Sequence, residues 1–329
     1  MPIDWSKASP LSLSSAELER ISRIHPELQK LRKNPRAGQG ECGFFTTQDN
    51  WPIYYRKWIP PATQLTQKVV LCIHGFHSHG EKFVLLADHL FGRTWATYTI
   101  DLRGHGLSWK KLEDVGDIEN YNLWIKDILE FIHFIGSQHP HLPLIIVAES
   151  MGAAASIHIA SYKPTHLRSL IFLSPAFKAW KAVEFSMVLE TLTFGLLGPA
   201  TGHTIPVRSK SHFDTNNETY KLYELSDPLR LARATPRYNL QTLKMIHQVR
   251  TCNLDQFKPQ SFYPTCVFYG GVDHLVDFEG DQEFIRCIHT KDKELHFIPD
   301  AAHELLSDRY AIDYGIYEKI IRWIERVRG

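Results

Sequence analysis

Leu144-Ile145-Ile146-Val147-Ala148-Glu149-Ser150-Met151-Gly152 is the stretch on which the reading of this chain turns. Four apolar residues stop at a serine flanked by small residues, and more small residues follow. The pattern predicts a strand, a one-residue turn and the start of a helix. A serine at the apex of such a turn projects its hydroxyl from the sheet edge, and the first amide of the following helix points to where an oxyanion would form. Ser150 is therefore the candidate nucleophile, with the Met151 amide as one oxyanion donor. The turn requires small flanking residues, and Ala148 and Gly152 satisfy it, although glycine is usual at both places. Small-x-Ser-x-Gly also arises by chance in chains where the serine merely packs, so the assignment depends on partners elsewhere.

Working outward, Val69 to Ile73, Ala96 to Ile100, Leu167 to Leu173, Cys266 to Tyr269 and Leu295 to Ile298 are short apolar, often β-branched runs. Segments of helical period separate most of them, the clearest being Ile118 to Gln138 and Tyr314 to Arg328. Buried parallel strands covered by helices on both faces read this way. Phe44 to Thr47 and Ile53 to Ile59, joined by Gln48-Asp49-Asn50-Trp51-Pro52, predict a hairpin ahead of them. The alternation breaks between Ser174 and about Lys258, where no strand is expected and Phe177, Trp180, Val183, Met187, Val188, Leu192, Leu196 and Leu197 predict an apolar, helix-rich insertion over the site. Ser14 to Lys33 reads as one or two short amphipathic helices with a basic face, interrupted at Pro26.

A serine hydroxyl becomes a competent nucleophile when a base takes its proton and a third group orients that base. In an open parallel sheet such groups come from loops after the strands. Cys266 to Tyr269 leads into Gly270-Gly271-Val272-Asp273, and Leu295 to Ile298 leads into Pro299-Asp300-Ala301-Ala302-His303-Glu304. Asp273 and His303 thus follow Ser150 in the order serine, acid, histidine. Asp277 is the alternative acid, and Asp300 is expected to cap its loop. The second oxyanion amide is expected from Phe76, because Val69 to Ile73 ends in His74-Gly75-Phe76 and Gly75 permits close backbone approach. His74 itself is read as structural. His303-Glu304 lacks the second histidine of a zinc helix, since Ser307 stands there. No metal and no cofactor are expected.

With 37 basic and 36 acidic residues the formal charge is only +1, and no dense basic block is present, so nucleic acid is not an expected partner. Five scattered cysteines, two of them in expected central strands, suggest a reducing compartment, and the first residues lack the pattern of a secretory signal. A cytoplasmic protein is expected, with peripheral membrane contact through the insertion or the basic amino-terminal segment. The oligomeric state is not legible.

His74-Gly75-Phe76 with His79, the string Asp101-Leu102-Arg103-Gly104-His105-Gly106-Leu107-Ser108, the serine turn, Gly270-x-x-Asp273 and Ala302-His303-Glu304 together resemble the monoacylglycerol lipase and lysophospholipase group of α/β-hydrolases, which is grouped with serine aminopeptidases. The resemblance runs from about Phe44 to the end, and the Asp101 to Ser108 string is its most specific part. It implies an α/β-hydrolase core over residues 43–174 and 259–329, and the apolar patterns above make 175–258 a helical cap and 1–42 a helical extension. It also implies a supporting role for Asp101, Arg103 and His105. Two positions depart from the family pattern: Glu149 puts a carboxylate beside the nucleophile, and Glu81 stands where glycine is common.

The expected function is a serine hydrolase of lipid-like carboxylic esters, a monoacylglycerol or lysophospholipid being what the resemblance implies. An aminopeptidase or amidase, with Glu184, Glu190, Glu218 or Glu224 recognising an amine, is the alternative. A non-catalytic lipid-binding protein on the same scaffold is another.

Overall fold

The computed structural model describes residues 40–178, 188–189, 205–206, 215–217, 220–221, 227, 229–249, 262–290 and 292–328. The expected amino-terminal helices and most of the expected apolar insertion lie outside these residues.

The apolar runs become one eight-stranded sheet. Its strands are β1 (Glu41–Thr46), β2 (Pro52–Trp58), β3 (Lys68–Ile73), β4 (Trp95–Ile100), β5 (Leu144–Glu149), β6 (Leu167–Leu173), β9 (Thr265–Gly270) and β10 (Lys293–Ile298), the numbers 7 and 8 being kept for a short pair described below. The order is β1-β2-β4-β3-β5-β6-β9-β10. The β1–β2 hairpin and the β2–β4 pairing are antiparallel, and every later pairing is parallel. The mostly parallel α/β architecture is as expected.

Strand periodicity explains why these runs are apolar throughout. Val69, Leu71, Ile73, Leu144, Ile146 and Ala148 enter one buried cluster, while the intervening Val70, Cys72, Ile145 and Val147 enter another on the opposite face. Each such aliphatic side chain taken fully from water contributes roughly 1.5–3 kcal/mol, so a polar residue on either face would be costly. The first face is covered by α2 (Asn122–Gln138), α3 (Met151–Ser161), α4 (Pro236–Gln248) and α5 (Phe278–Cys287). The second carries α1 (Val84–Leu90) and α7 (Ile316–Arg326), the latter following the single turn α6 (Tyr310–Asp313).

The region between β6 and β9 differs from expectation in two respects. It contains two short strands, β7 (Ile205–Pro206) and β8 (Arg233–Ala234), which pair antiparallel although no strand was expected there. Two-residue strands carry too few apolar residues to leave a periodic signal. The carboxyl-terminal part of the region is also integral to the core: Tyr238, Met245, Ile246 and Val249 share the buried cluster of the sheet. His158 Nε2 of α3 meets the Met245 carbonyl of α4 at 3.0 Å.

Candidate active site

Strand β5 runs straight into the serine turn. Ser150 has φ 50° and ψ −119°, a conformation that costs a side-chain-bearing residue roughly 1–3 kcal/mol and persists only when its surroundings impose it. Three bonds do so: the Ser150 amide donates to Leu173 O at 3.0 Å, and Ser150 O accepts from Ala153 at 3.0 Å and Ala176 at 3.1 Å. Gly152 lets the elbow lie against β3, since a Cβ there would fall 2.5 Å from Ile73 O. Ala at position 148 is accommodated in the buried cluster, which explains why the usual glycine is dispensable.

The loop after β3 packs on this elbow. A Cβ on Gly75 would lie 3.1 Å from the Ser150 Cβ, so the Gly75–Phe76 peptide is adjacent to the serine. Its orientation is set by His74. The Leu102 amide donates to His74 Nε2 at 2.9 Å, leaving the ring proton on Nδ1, which donates to Gly75 O at 2.8 Å. Because a trans peptide is planar, holding that carbonyl also aims the Phe76 N–H. Burial holds His74 well below the ordinary imidazole pKa, consistent with a neutral ring. On the other side of residue 76, the Tyr238 hydroxyl donates to Phe76 O at 2.9 Å, and His105 Nε2 lies 3.0 Å from that oxygen. Tyr238 was not singled out by the sequence, because its partners are 133 and 162 residues away.

The Asp101 to Ser108 string supports this loop. Asp101 accepts from Arg56 Nη1 at 2.7 Å, the Gly80 amide at 2.8 Å and the Leu107 amide at 2.9 Å. Arg103 forks onto Asp127 of α2 at 2.7 and 2.8 Å and onto Asp49 at 2.7 and 2.9 Å. Glu81, at the position where glycine is common, faces the Arg56 guanidinium at 3.9 Å, both side chains being buried.

Asp273 and His303 come together as the order along the chain predicts. His303 Nδ1 lies 2.7 Å from Asp273 Oδ2, and the other carboxylate oxygen accepts from the Leu275 and Val276 amides at 2.8 and 3.3 Å. Both side chains are 4% exposed. Burial presses the His303 pKa down, but Asp273 more than offsets this, with Glu304 and Glu149 acting in the same direction, so the ring is held up to about 9. Asp277, the alternative acid, instead caps α5 by accepting from the Gly280 amide at 3.1 Å and pairs with Lys178 at 2.7 Å. Asp300 accepts from the Tyr314 hydroxyl at 2.8 Å rather than capping its own loop.

Glu149 is paired. Lys82 Nζ sits 2.8 Å from its Oε2 and also contacts Glu304 Oε2, with all three side chains at most 5% exposed. The residue before the serine and the residue after the histidine therefore meet one ammonium. Lys82 was missed at the sequence level, although Glu149 beside Ser150 and Glu304 beside His303 were a signal to look for a compensating cation. Glu184, Glu190, Glu218 and Glu224 lie outside the described residues.

Among the described residues, Cys266, Glu294 and His296 come close enough to share an ion. Burial holds the Cys266 thiol far above its ordinary pKa, Arg326 occupies Glu294, and His296 stacks on Phe268, so the set does not suit a cation. The four described cysteines, Cys42, Cys72, Cys266 and Cys287, are free. No described helix is long and apolar enough to cross a membrane.

The chain has relatives among known proteins. The chain is 24% identical to human monoglyceride lipase over 314 residues, covering 92% of this chain and 96% of the relative. It is 23% identical to a monoacylglycerol lipase of Mycolicibacterium smegmatis over 258 residues, covering 78% and 87%. A crystal structure of a soluble variant of monoglyceride lipase from Saccharomyces cerevisiae, in complex with a substrate analog, superposes with a TM-score of 0.75 at 19% identity over 87% of this chain and 95% of that one. Residues 64–310, well over half of the chain, match the hydrolase-4 family model, described as serine aminopeptidase, S33. The chain belongs to this serine aminopeptidase S33 family of α/β-hydrolases.

Proposed function

We propose that this protein hydrolyses carboxylic esters with lipid-like acyl groups, through an acyl-enzyme on Ser150. His303 acts as the base, Asp273 orients it, and the Phe76 and Met151 amides receive the oxyanion. The observation that carries the reading is the buried Asp273–His303 pair at 2.7 Å, on a loop that shares Lys82 with the Ser150 elbow.

The steps follow from the atoms. Ser150 Oγ attacks the ester carbonyl while its proton passes to His303 Nε2, the nitrogen left free by the Nδ1 bond to Asp273. Negative charge develops on the former carbonyl oxygen, and each amide donor aimed at it is worth roughly 3 kcal/mol in the transition state. Collapse expels the alcohol, which takes the proton from His303. Water then attacks the acyl-enzyme by the same route and releases the fatty acid and free Ser150. No metal or cofactor enters this scheme.

The substrate class draws on the relatives, which are monoglyceride and monoacylglycerol lipases, and on the apolar residues of the insertion. Each methylene buried contributes about 0.8 kcal/mol, so kcat/KM is expected to rise with acyl length. A series of glycerol esters from short to long acyl chains, assayed on wild type and Ser150→Ala, tests this. Flat dependence on length removes the lipid assignment, and turnover by Ser150→Ala removes the nucleophile. Aminoacyl anilides in the same assay separate the amide-cleaving alternative. Peripheral membrane contact through the basic segment at residues 14–36 or the apolar insertion belongs to the same proposal. Flotation with anionic liposomes tests it, and protein left at the bottom of the gradient counts against it.

A further inference from the structure

Three carboxylates act on His303 from three segments, Asp273 after β9, Glu304 on its own loop and Glu149 at the end of β5, and Lys82, after β3, contacts two of them. Behind Lys82, a small cavity is lined by His77, Ser78, His79, Tyr220, Asp227 and Arg230, of which His79 is engaged by Asp227 at 2.8 Å. Lys82 contacts both extra carboxylates, at 2.8 Å from Glu149 and in close contact with Glu304. Glu149 and Glu304 are also the immediate chain neighbours of Ser150 and His303.

We propose that Lys82 is a positioning residue for the reaction assigned above: its ammonium fastens the nucleophile turn and the histidine loop to the oxyanion loop, and it neutralises the two carboxylates that would otherwise hold the proton on His303. The inference rests on the ester-hydrolase reading for its catalytic consequence, but not for its electrostatic one. Two buried carboxylates beside an imidazole favour the imidazolium. Without the ammonium less positive charge offsets them, the ring keeps its proton to higher pH, and less enzyme is competent to accept the serine proton at a given pH. With the ammonium in place, their pull on the ring is reduced. The arrangement also explains how this chain tolerates a carboxylate beside its nucleophile: Glu149, Glu304 and Lys82 form one set, and none of the three is suited to this place alone.

The test uses Lys82→Met, Lys82→Arg, Glu149→Gln and the double variant Lys82→Met/Glu149→Gln in the full chain. The expected result is an acid limb of kcat/KM displaced upward by about one pH unit in Lys82→Met, lowering activity on that limb about tenfold. Glu149→Gln should move the limb downward, Lys82→Arg should retain the wild-type position, and the double variant should return toward wild type because both charges leave together. A staple with no electrostatic role predicts a double variant at least as impaired as Lys82→Met, and that outcome overturns the proposal. So does an unmoved limb in Lys82→Met.

Histidine ring titration by NMR, with the His303 resonance assigned from a His303→Gln variant, reads the same displacement without any substrate. If wild type turns over no ester yet the His303 titration moves as stated, the ester reading fails and the Lys82 assignment stands. If esters are hydrolysed and the titration does not move, the reverse holds. Circular dichroism of each variant checks folding, and should Lys82→Met not fold, the double variant read against Glu149→Gln isolates the same charge and should show the limb displaced upward.

Discussion

Glu81 and Lys82 are chain neighbours that enter two buried clusters of the same charge inventory. The first holds Arg56 with Asp101 and Glu81, the second Lys82 with Glu149 and Glu304: among the described residues, one cation contacts two carboxylates in each. In the first, Asp101 is met by Arg56 Nη1 and by two backbone amides, so the negative charge is answered by a fixed cation and fixed dipoles. In the second, the nearby responsive group is His303, whose proton can come and go. Under the proposed mechanism, the same composition builds scaffold in one place and sets the state of the base in the other. The difference lies in which neighbours answer the excess charge.

The comparison can be broken at its largest effect by Asp273→Asn. Asparagine keeps the shape but favours the wrong ring tautomer, and the expected loss is about 10⁴-fold in kcat. A loss of less than tenfold would mean that the groups facing His303 do not govern its state. The scaffold cluster is tested by Arg56→Met, which removes the cation from Asp101 and Glu81. An uncompensated buried charge costs about 3–5 kcal/mol, read by denaturant unfolding, while the acid limb of the surviving enzyme stays in place. If that limb moved as far as in Lys82→Met, the two clusters would not be separable.

The smallest effect is in stability against pH. His303 is held up to about 9 in the folded chain, above its ordinary 6.5. Its contribution is therefore fully present below 6.5 and is lost as pH rises through about 9. The unfolding free energy should fall across that window in wild type, and this slope should vanish in His303→Gln. Equal slopes in the two proteins would show that His303 does not bind its extra proton in the folded state.

Much of this was legible in the sequence because the strands are buried on both faces. Leu167–Leu173 was read to its observed bounds, and β3, β4 and β9 to within one residue at each end. The serine turn was legible because its small flanks are dictated by close backbone approach, and Asp273 because it directly follows a strand. What escaped depends on contacts between distant segments. Tyr238 packs on Phe76 from the region read as insertion, and its role is visible only once α4 lies on α3. Lys82 in sequence is one lysine among many, and only folding places it between two carboxylates. Glu149 read as an intrusion because its partner was unseen. Asp277 and Asp273 both follow β9, and they part company only in three dimensions, where one caps a helix and the other meets a histidine.

The central claim is that Ser150 is made reactive by the Asp273–His303 pair. Mapping a fluorophosphonate adduct by mass spectrometry on wild type, Ser150→Ala and His303→Gln tests it most directly. The expected result is a single adduct on Ser150 in wild type, none in Ser150→Ala, and labelling slowed by orders of magnitude in His303→Gln. An adduct on another residue, or labelling of Ser150 at the wild-type rate without His303, would contradict the account.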